Sequence, residues 1–367
     1  MKKLVYSALA LTLSGAPALA TDNGWSGLDK EIESLSSSLQ SANPNAPGIS
    51  GWVLASYRHS SDIDANGTAT GTPDQSGFQL DSVRLEVEGD AGNDYSYKVS
   101  MDLAGGNGSL HGESPSGTVG LRDAYVKWSI YEGINGKIGR FKESMLRSAL
   151  VSDNRLILLD RTNLGELLDR RDLGLAVYGS FDVLNWTVQA QDGTDGQADE
   201  HRFVLRATAN VVGKAGDSKN EGAYGAGEET NVVVGIAFQD EGNLADGQII
   251  ALEAGMTAGP FSVAAELVDF DKGDAGTFGL TDTFVGNDVA DTTPWDITVS
   301  YLITPEYEVA GRFEDADDVD DTTSYTLGVN RYVRGHDIKW GAQWKAIKTD
   351  NAVGDIDQLG VGVGVSF

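Results

Sequence analysis

The chain has 367 residues, of which 55 are acidic and 27 basic, so its formal net charge is −28. This acidic balance argues against nucleic-acid binding, which depends on basic surfaces that neutralise phosphates. Because the sequence has no cysteine, it excludes a disulfide framework and any thiolate metal site. After residue 20, no stretch reaches the roughly 18 apolar residues that a transmembrane helix needs.

The first twenty residues, MKKLVYSALALTLSGAPALA, have three consecutive regions. Lys2 and Lys3 come first, an apolar run follows, and the segment ends in an A-x-A motif at Ala20. This order is typical of a secretory signal peptide. We therefore expect residues 1–20 to be removed and the remaining chain to leave the cytoplasm.

Residues 21–47 contain a helical pattern followed by the linker NPNAPG. Trp25, Leu28, Ile32, Leu35 and Leu39 form a heptad seam of about two heptads. The pattern predicts a short N-terminal helix in the periplasm. Because so short a helix is unstable alone, two alternatives remain: a coiled coil formed with other copies of the chain, or a disordered or wall-packed linker.

From residue 48 onward, apolar and polar residues alternate in segments separated by Gly-, Asp- and Asn-rich breaks. This period of two is typical of β-strands. It predicts an all-β fold with strands near 48–60, 77–90, 95–104, 118–131, 135–142, 173–181, 184–192, 201–212, 230–239, 248–257, 261–270, 293–302, 307–314, 322–332, 336–348 and 357–367.

The predicted connections mostly alternate between short turns and long loops. An even strand number, tight turns on one side and long loops on the other indicate a 16-stranded antiparallel transmembrane β-barrel of the bacterial outer membrane. Aromatic residues flank the proposed short turns, where an interfacial girdle is expected. They are Tyr131, Phe181, Trp186, Tyr301 and Tyr307. Residues 213–229 break the pattern, because they are long where a short turn is expected.

The chain ends in LGVGVGVSF, which places Val361, Val363 and Val365 on one face and glycines on the other. We expect this strand to close the barrel against the first strand, so that every backbone hydrogen bond is satisfied in lipid. The valines would then face lipid and the glycines the lumen. The terminal Phe367 is similar to the signal that the barrel assembly machinery recognises, so we expect it to serve assembly.

Three segments carry a family resemblance. LEVEGDAGNDYSYKVSMDLA, LRDAYVKW and GKIGRFKESMLRS resemble the phosphate-selective porin O/P family. The resemblance implies a homotrimeric, water-filled, sixteen-stranded barrel with a long loop folded inward as a constriction. In this chain that loop is about 143–172, in a barrel region of 48–367. Its apolar run Leu156–Leu159 would either pin it to the barrel wall or form another strand.

The lumen wall predicted by alternation has both signs of charge, so selectivity depends on the narrowest point. Arg140 and Lys142 share one strand parity and lead into the loop, which also carries Arg147, Arg155 and Arg161. These five bases are the predicted residues for pore constriction and solute binding, because a guanidinium holds an anion through paired N–H donors.

The sequence therefore predicts a porin for passive diffusion of small hydrophilic solutes and ions, with a weak anion or phosphate preference. A weakly cation-selective general porin and a surface adhesin or receptor barrel are the alternatives. The expected partners are outer-membrane lipid and lipopolysaccharide. Acidic loops such as FEDADDVDD (313–321) are expected to be solvated; the alternative is that divalent cations bridge them to lipopolysaccharide phosphates.

Enzymatic activity is not expected. The four histidines are scattered, and the sequence contains neither an HExxH, a GxSxG nor a Walker motif. No catalytic residue, metal site or cofactor is predicted.

Overall fold

The computed structural model describes residues 47–61, 75–104, 119–193, 201–213, 220–240, 247–271, 292–318, 320–350 and 355–367. The chain divides after Gly48 into two units, of which the second, Ile49–Phe367, forms the fold. The predicted signal peptide and most of the predicted N-terminal helix and linker lie outside the described residues.

Sixteen antiparallel strands form a closed barrel in which each strand pairs with its neighbours in sequence. They are β1 (Gly48–Ser60), β2 (Gln75–Asp90), β3 (Tyr95–Asp102), β4 (Gly120–Tyr131), β5 (Ile134–Lys142), β6 (Arg171–Phe181), β7 (Leu184–Gln191), β8 (Arg202–Val212), β9 (Asn231–Asp240), β10 (Gln248–Ala258), β11 (Phe261–Asp271), β12 (Trp295–Thr304), β13 (Tyr307–Asp315), β14 (Thr323–Arg334), β15 (Ile338–Lys348) and β16 (Ile356–Ser366).

These strands confirm the sixteen predicted from the period-two pattern. The connections also alternate, so the barrel has a turn end, where short connections lie, and a loop end. One exception is the connection between β8 and β9, which lies at the turn end yet spans residues 213–230. The acidic run 313–321 was predicted to be an external loop, but its first three residues belong to β13, and Glu314 is buried.

The last strand closes the barrel as predicted. β16 pairs with β1, for example Val363 with Ala55. The backbones of Gly51 and Phe367 exchange two hydrogen bonds of 3.0 Å. Val361 and Val365 are exposed on the outer surface, whereas Gly360, Gly362 and Gly364 are buried on the lumen side.

The outer surface is apolar along the strands and aromatic near the turn end. Tyr131, Phe181 and Tyr301 are at least half exposed there. Rings of this kind suit the boundary between headgroups and hydrocarbon. No helix within the described part of the chain has the length and apolarity to cross a membrane.

Residues 143–170, here named the inner loop, connect β5 to β6. The loop contains helix α1 (Arg147–Leu150), a 3-10 turn at Asp153–Arg155, and helix α2 (Asn163–Leu167). Its apolar side chains pack against inward-facing residues of β8 to β11. This buried cluster is Met145, Leu146, Ala149, Leu164, Leu167, Leu168, Val204, Ala237, Ile249, Ala251, Val268 and Phe270.

The run Leu156–Leu159 is not a strand and lies against the lumen wall. A Cβ added at Gly360 or Gly362 would come within about 3 Å of a Leu159 methyl, at 2.9 and 3.0 Å respectively. A Cβ at Gly328 would stand 2.4 Å from Leu158. The bare face of the last strand therefore has a packing reason: glycines there leave room for the inner loop.

A candidate pore with two oppositely charged cavities

Within the described part of the chain, two cavities lie between the inner loop and the wall formed by β15, β16 and β1 to β6. The loop-side cavity, about 390 Å³, is lined by residues near the long connections, including Arg58, Asp81 and Gln358. The turn-side cavity, about 240 Å³, is lined by residues nearer the short turns, including Trp52 and Lys98. Asp153 lines both cavities, so the inner loop separates them at this side chain.

The two cavities differ in the balance of charge. The charged residues lining the loop-side cavity are the acids Asp81, Asp102, Asp153, Asp160, Glu166 and Asp169 and the bases Arg58, Arg122, Arg161 and Lys345. Those lining the turn-side cavity are the bases Arg84, Lys98, Lys137, Lys142 and Arg171 and the acids Glu86, Asp123 and Asp153. The loop-side cavity is thus rich in acids and the turn-side cavity rich in bases.

Asp153 is the centre of the first ion-pair group at the junction of the cavities. Its carboxylate accepts hydrogen bonds from Arg161 at 2.6 Å, Arg84 at 3.3 Å and the Ser82 hydroxyl at 3.0 Å. Burial raises the pKa of the Asp153 carboxyl, but Arg161 and Arg84 outweigh it and hold that pKa well below its usual range. Asp153 therefore stays ionised in neutral and mildly acidic solution.

Asp169 is the centre of the second group. Its oxygens lie 2.9 Å from Arg122, 2.6 Å from Lys142 and 2.7 Å from Arg171. Burial again raises the pKa of this carboxyl, and Lys142 and Arg171 more than compensate, so the pKa is lowered. Two carboxylates of the inner loop thus hold five cations of the loop and wall at one level of the lumen.

A β-bulge brings Arg122 into this cluster. Ser100 pairs with Asp123, whereas the next residue, Met101, pairs with Leu121. Arg122 is therefore the extra residue, and a bulge turns consecutive side chains to the same face. Arg122 lines the loop-side cavity and Asp123, bonded to Arg171 at 3.1 Å, lines the turn-side cavity.

Two of the five predicted site residues, Lys142 and Arg161, belong to this junction. Lys142 lines the turn-side cavity and also donates to the Ala149 carbonyl. Arg161 is buried and donates to the Ser148 and Ala149 carbonyls. Both side chains thus pair with carboxylates of the junction and also brace the backbone of the inner loop.

The other three predicted residues lie elsewhere. Arg147 donates to the Asn220 carbonyl at 2.6 Å, and Arg155 to the Asn220 side chain at 2.9 Å, so both point to the β8–β9 connection. Arg140 pairs in register with Leu173, which is exposed on the outer surface, and lines neither cavity. Alternation holds from Ile138 to Phe141, which is buried and lines the turn-side cavity, but Lys142 at the end of the strand lines the same cavity, so Arg140 and Lys142 lie on different faces rather than on one as predicted.

Carboxylates of the wall position the inner loop on the opposite side of the lumen. Glu253 accepts from the Arg147 amide at 2.7 Å, and Glu266 from the Ser148 amide at 2.8 Å and the Ser148 hydroxyl. Glu314 accepts from the Asn163 amide at 2.6 Å. These bonds satisfy free N–H groups at the first turns of α1 and α2, which no helical carbonyl reaches.

Comparison with known proteins assigns the family. The profile of the phosphate-selective porins O and P matches residues 55–353, and the chain belongs to this family. A comparison with curated protein sequences gave no significant match.

Solved structures of outer-membrane proteins share the fold at low sequence identity. The outer membrane channel DcaP of Acinetobacter baumannii is 14% identical, with 88% of this chain and 97% of that chain covered and a TM-score of 0.58. OprB of Pseudomonas putida is 12% identical, with 94% and 97% covered and a TM-score of 0.58. A loop-deletion mutant of OmpT of Vibrio cholerae is 10% identical, with 88% and 99% covered and a TM-score of 0.58.

Family and fold together place the protein in the bacterial outer membrane, as the sequence predicted. They indicate a channel for passive diffusion rather than an enzyme. The charged junction is the candidate site for determining which solutes pass.

Proposed function

We propose that this porin passes small hydrophilic solutes and ions with a weak preference for anions, set where the two cavities meet. The observation that supports the proposal is the excess of basic side chains that line the turn-side cavity next to this junction, five bases against three acids. Five cations, Arg84, Arg122, Lys142, Arg161 and Arg171, surround the carboxylates of Asp153 and Asp169. Asp102, Asp123 and Glu166 also pair with these cations, so the charges at the junction itself are balanced, five against five.

The junction is not expected to bind phosphate tightly. Each arginine at the junction already has a carboxylate partner, as with Arg171 and Asp123 at 3.1 Å or Arg122 and Asp169 at 2.9 Å. A passing anion therefore shares donors that are already engaged, and release stays fast. Conduction requires binding that is weak enough for the ion to leave.

The turn-side cavity adds further weak sites. Lys137 lies 4.0 Å from the centre of the Phe141 ring and 5.4 Å from that of Tyr125, and Lys127 lies 5.3 Å from Tyr125. Among the described residues, no ion pair is seen for either lysine. An anion that crosses the junction would find these ammonium groups next.

A weakly cation-selective general porin is the second candidate, because the loop-side cavity carries the acidic excess. The two candidates make opposite predictions for the reversal potential in a salt gradient across a planar bilayer. We expect chloride to permeate about two- to threefold better than potassium, since charges in confined sites are screened less than those at the mouth.

The matched variants are Arg122→Gln and Arg331→Gln. Arg122→Gln should lower the permeability ratio about twofold, because it removes one junction cation. Arg331 is exposed near the turn end and stacks over Tyr307 at 5.8 Å, so its loss should leave the ratio unchanged. A cation-selective wild type would favour the second candidate, and the absence of discrete open steps would favour an adhesin or receptor barrel.

We further propose a homotrimer, as the family resemblance implies, and assembly that depends on Phe367. The proposed role of Phe367 is supported by the pair of backbone hydrogen bonds with which it closes the barrel onto Gly51. Gels run in mild detergent test the trimer: a species of monomer size before heating argues against it. Deletion of Phe367 should reduce the folded, heat-modifiable fraction, and an unchanged yield would contradict its role.

A further inference from the structure

The long connection between β8 and β9 contains a segment that enters the lumen. Residues 220–224, here named the crossing segment, contact inward-facing side chains of β12, β13 and β14 rather than only the strands that flank them. Several strands separate β9 from β14 around the barrel. The crossing segment therefore extends across the opening at the turn end.

The wall of the barrel holds one side of the crossing segment. The Ala223 amide donates to Glu308 at 2.6 Å and to the Ser300 hydroxyl at 3.3 Å. Tyr224 stacks on Tyr332 with ring centres 3.8 Å apart and an angle of 17° between the planes. Tyr332 in turn donates to the second oxygen of Glu308 at 2.6 Å. Glu308 is fully buried beneath these contacts, with 0% exposure.

The inner loop holds the other side. Glu221 accepts from the Ile157 amide at 2.8 Å with one oxygen and from Arg312 at 2.8 Å with the other. Asn220 accepts from Arg147 and Arg155 of the same loop. These two arginines, predicted to bind solute, instead hold the crossing segment against the inner loop.

As a consequence, one half of the lumen, the side lined by β8 to β14, is filled by protein; it is here named the filled half. Ser300 of β12, which contacts the crossing segment, is only 4% exposed. Asn330 and Lys339 donate to carbonyls of the inner loop and are no more than 8% exposed. Ile157 and Leu158 of the inner loop cover the same wall. Neither cavity is lined by any residue of the crossing segment or of β8 to β14.

We infer that the crossing segment closes the β12–β14 side of the lumen at the turn end, and thereby sets the size limit of the pore by confining diffusion to the side that holds the two cavities. The inference rests on the proposed porin function and extends it from charge selectivity to solute size. The segment is held there by the Glu221 carboxylate, which pairs with Arg312, and by the Tyr224 ring, which stacks on Tyr332.

The first experiment compares the double variant Glu221→Ala, Tyr224→Ala with Glu228→Ala in planar bilayers. Glu228 lies in the same connection and is exposed. The double variant should raise single-channel conductance, by up to about twofold, since any path that it opens beside the inner loop adds in parallel to the first. Liposome swelling should show entry of larger sugars. Glu228→Ala should behave as the wild type.

A thiol reporter provides the second readout, because the chain has no cysteine of its own. Ser300→Cys places a thiol behind Ala223, and Gln79→Cys places one in the loop-side cavity. A charged methanethiosulfonate should modify position 79 in every background, but position 300 only when the crossing segment carries the double substitution.

The outcomes separate the inference from the proposed function. Wild-type protein without open steps would count against the porin itself. Open steps together with unchanged conductance in a folded double variant would overturn the inference alone. If the double variant does not fold, the reporter at position 300 in the otherwise unchanged chain decides: protection supports closure, and rapid modification overturns it.

Discussion

The two halves of the lumen use the same acidic side chains in different ways. In the filled half, carboxylates of β11 and β13 such as Glu266, Glu308 and Glu314 accept hydrogen bonds from backbone amides of segments that fold inward. In the half lined by β1 to β5, carboxylates such as Asp81 and Asp123 pair with arginine side chains beside a cavity. The first kind holds structure, and the second shapes the field that a solute meets.

This contrast explains why a count of charges in the lumen does not give selectivity. A carboxylate buried under a helix end is far from the diffusing ion, whereas one at a cavity wall is within contact distance. Coulomb interactions fall with distance and with screening. Only charges of the cavity half should therefore change the permeability ratio, while charges of the filled half should change stability.

The largest effect is expected for Glu266→Ala in the filled half. This change removes the acceptor for the Ser148 amide and hydroxyl, and each buried donor left unsatisfied costs about 1–3 kcal/mol. We expect a loss of about 2–4 kcal/mol of folding free energy, measured as a lower temperature for loss of the folded band. Asp81→Ala should cost less than Glu266→Ala, because Arg58 keeps its other carboxylate partner, Asp160, at 2.5 Å. Equal losses in both variants would contradict the comparison.

A smaller effect on selectivity is expected for Asp153→Asn in the cavity half. The carboxylate lines both cavities and neutralises Arg84 and Arg161, so its removal should raise the anion-to-cation permeability ratio about two- to threefold. Glu266→Gln is the control, because it removes a charge from the filled half. Reversal potentials check both variants, and an effect of Glu266→Gln as large as that of Asp153→Asn would argue against the assignment.

The smallest effect concerns pH and Glu166, which lines the loop-side cavity. Burial raises the pKa of the Glu166 carboxyl, and the negative Asp169 adds to the rise, whereas the pKa values of Asp153 and Asp169 are lowered. As pH falls from neutral, Glu166 should therefore be protonated before these two. The anion preference should increase modestly before the junction carboxylates titrate. In Glu166→Gln this increase should be absent, and an unchanged pH profile would exclude Glu166 as its source.

Most of the fold could be predicted from the sequence, because a barrel strand alternates between lipid and lumen. The terminal valines and glycines are an example: Val361 faces outward and Gly362 inward. The long β8–β9 connection was also visible as a break in the loop pattern. Its path across the lumen was not, because the contacts of Glu221 with Ile157 and Arg312 join residues far apart in sequence.

The charged site was predicted only in part, again because alternation along the chain does not reveal local irregularities or contacts between distant residues. Lys142 and Arg161 lie at the junction, but Arg122 was missed because alternation assigns it to the face opposite Asp123, and the bulge overrides that rule. Arg147 and Arg155 lie in a loop without periodicity, so the sequence carried no signal that they face Asn220 instead of a cavity.

The opposite charge of the two cavities also has an electrical consequence. An acidic compartment in series with a basic one resembles a junction between two semiconductors of opposite doping. When the outside is positive, cations are driven in through the acidic loop-side cavity and anions out through the basic turn-side cavity, and both accumulate where they meet. With the voltage reversed, both are depleted there. The open channel should therefore act as a weak rectifier, with the larger current when the outside is positive.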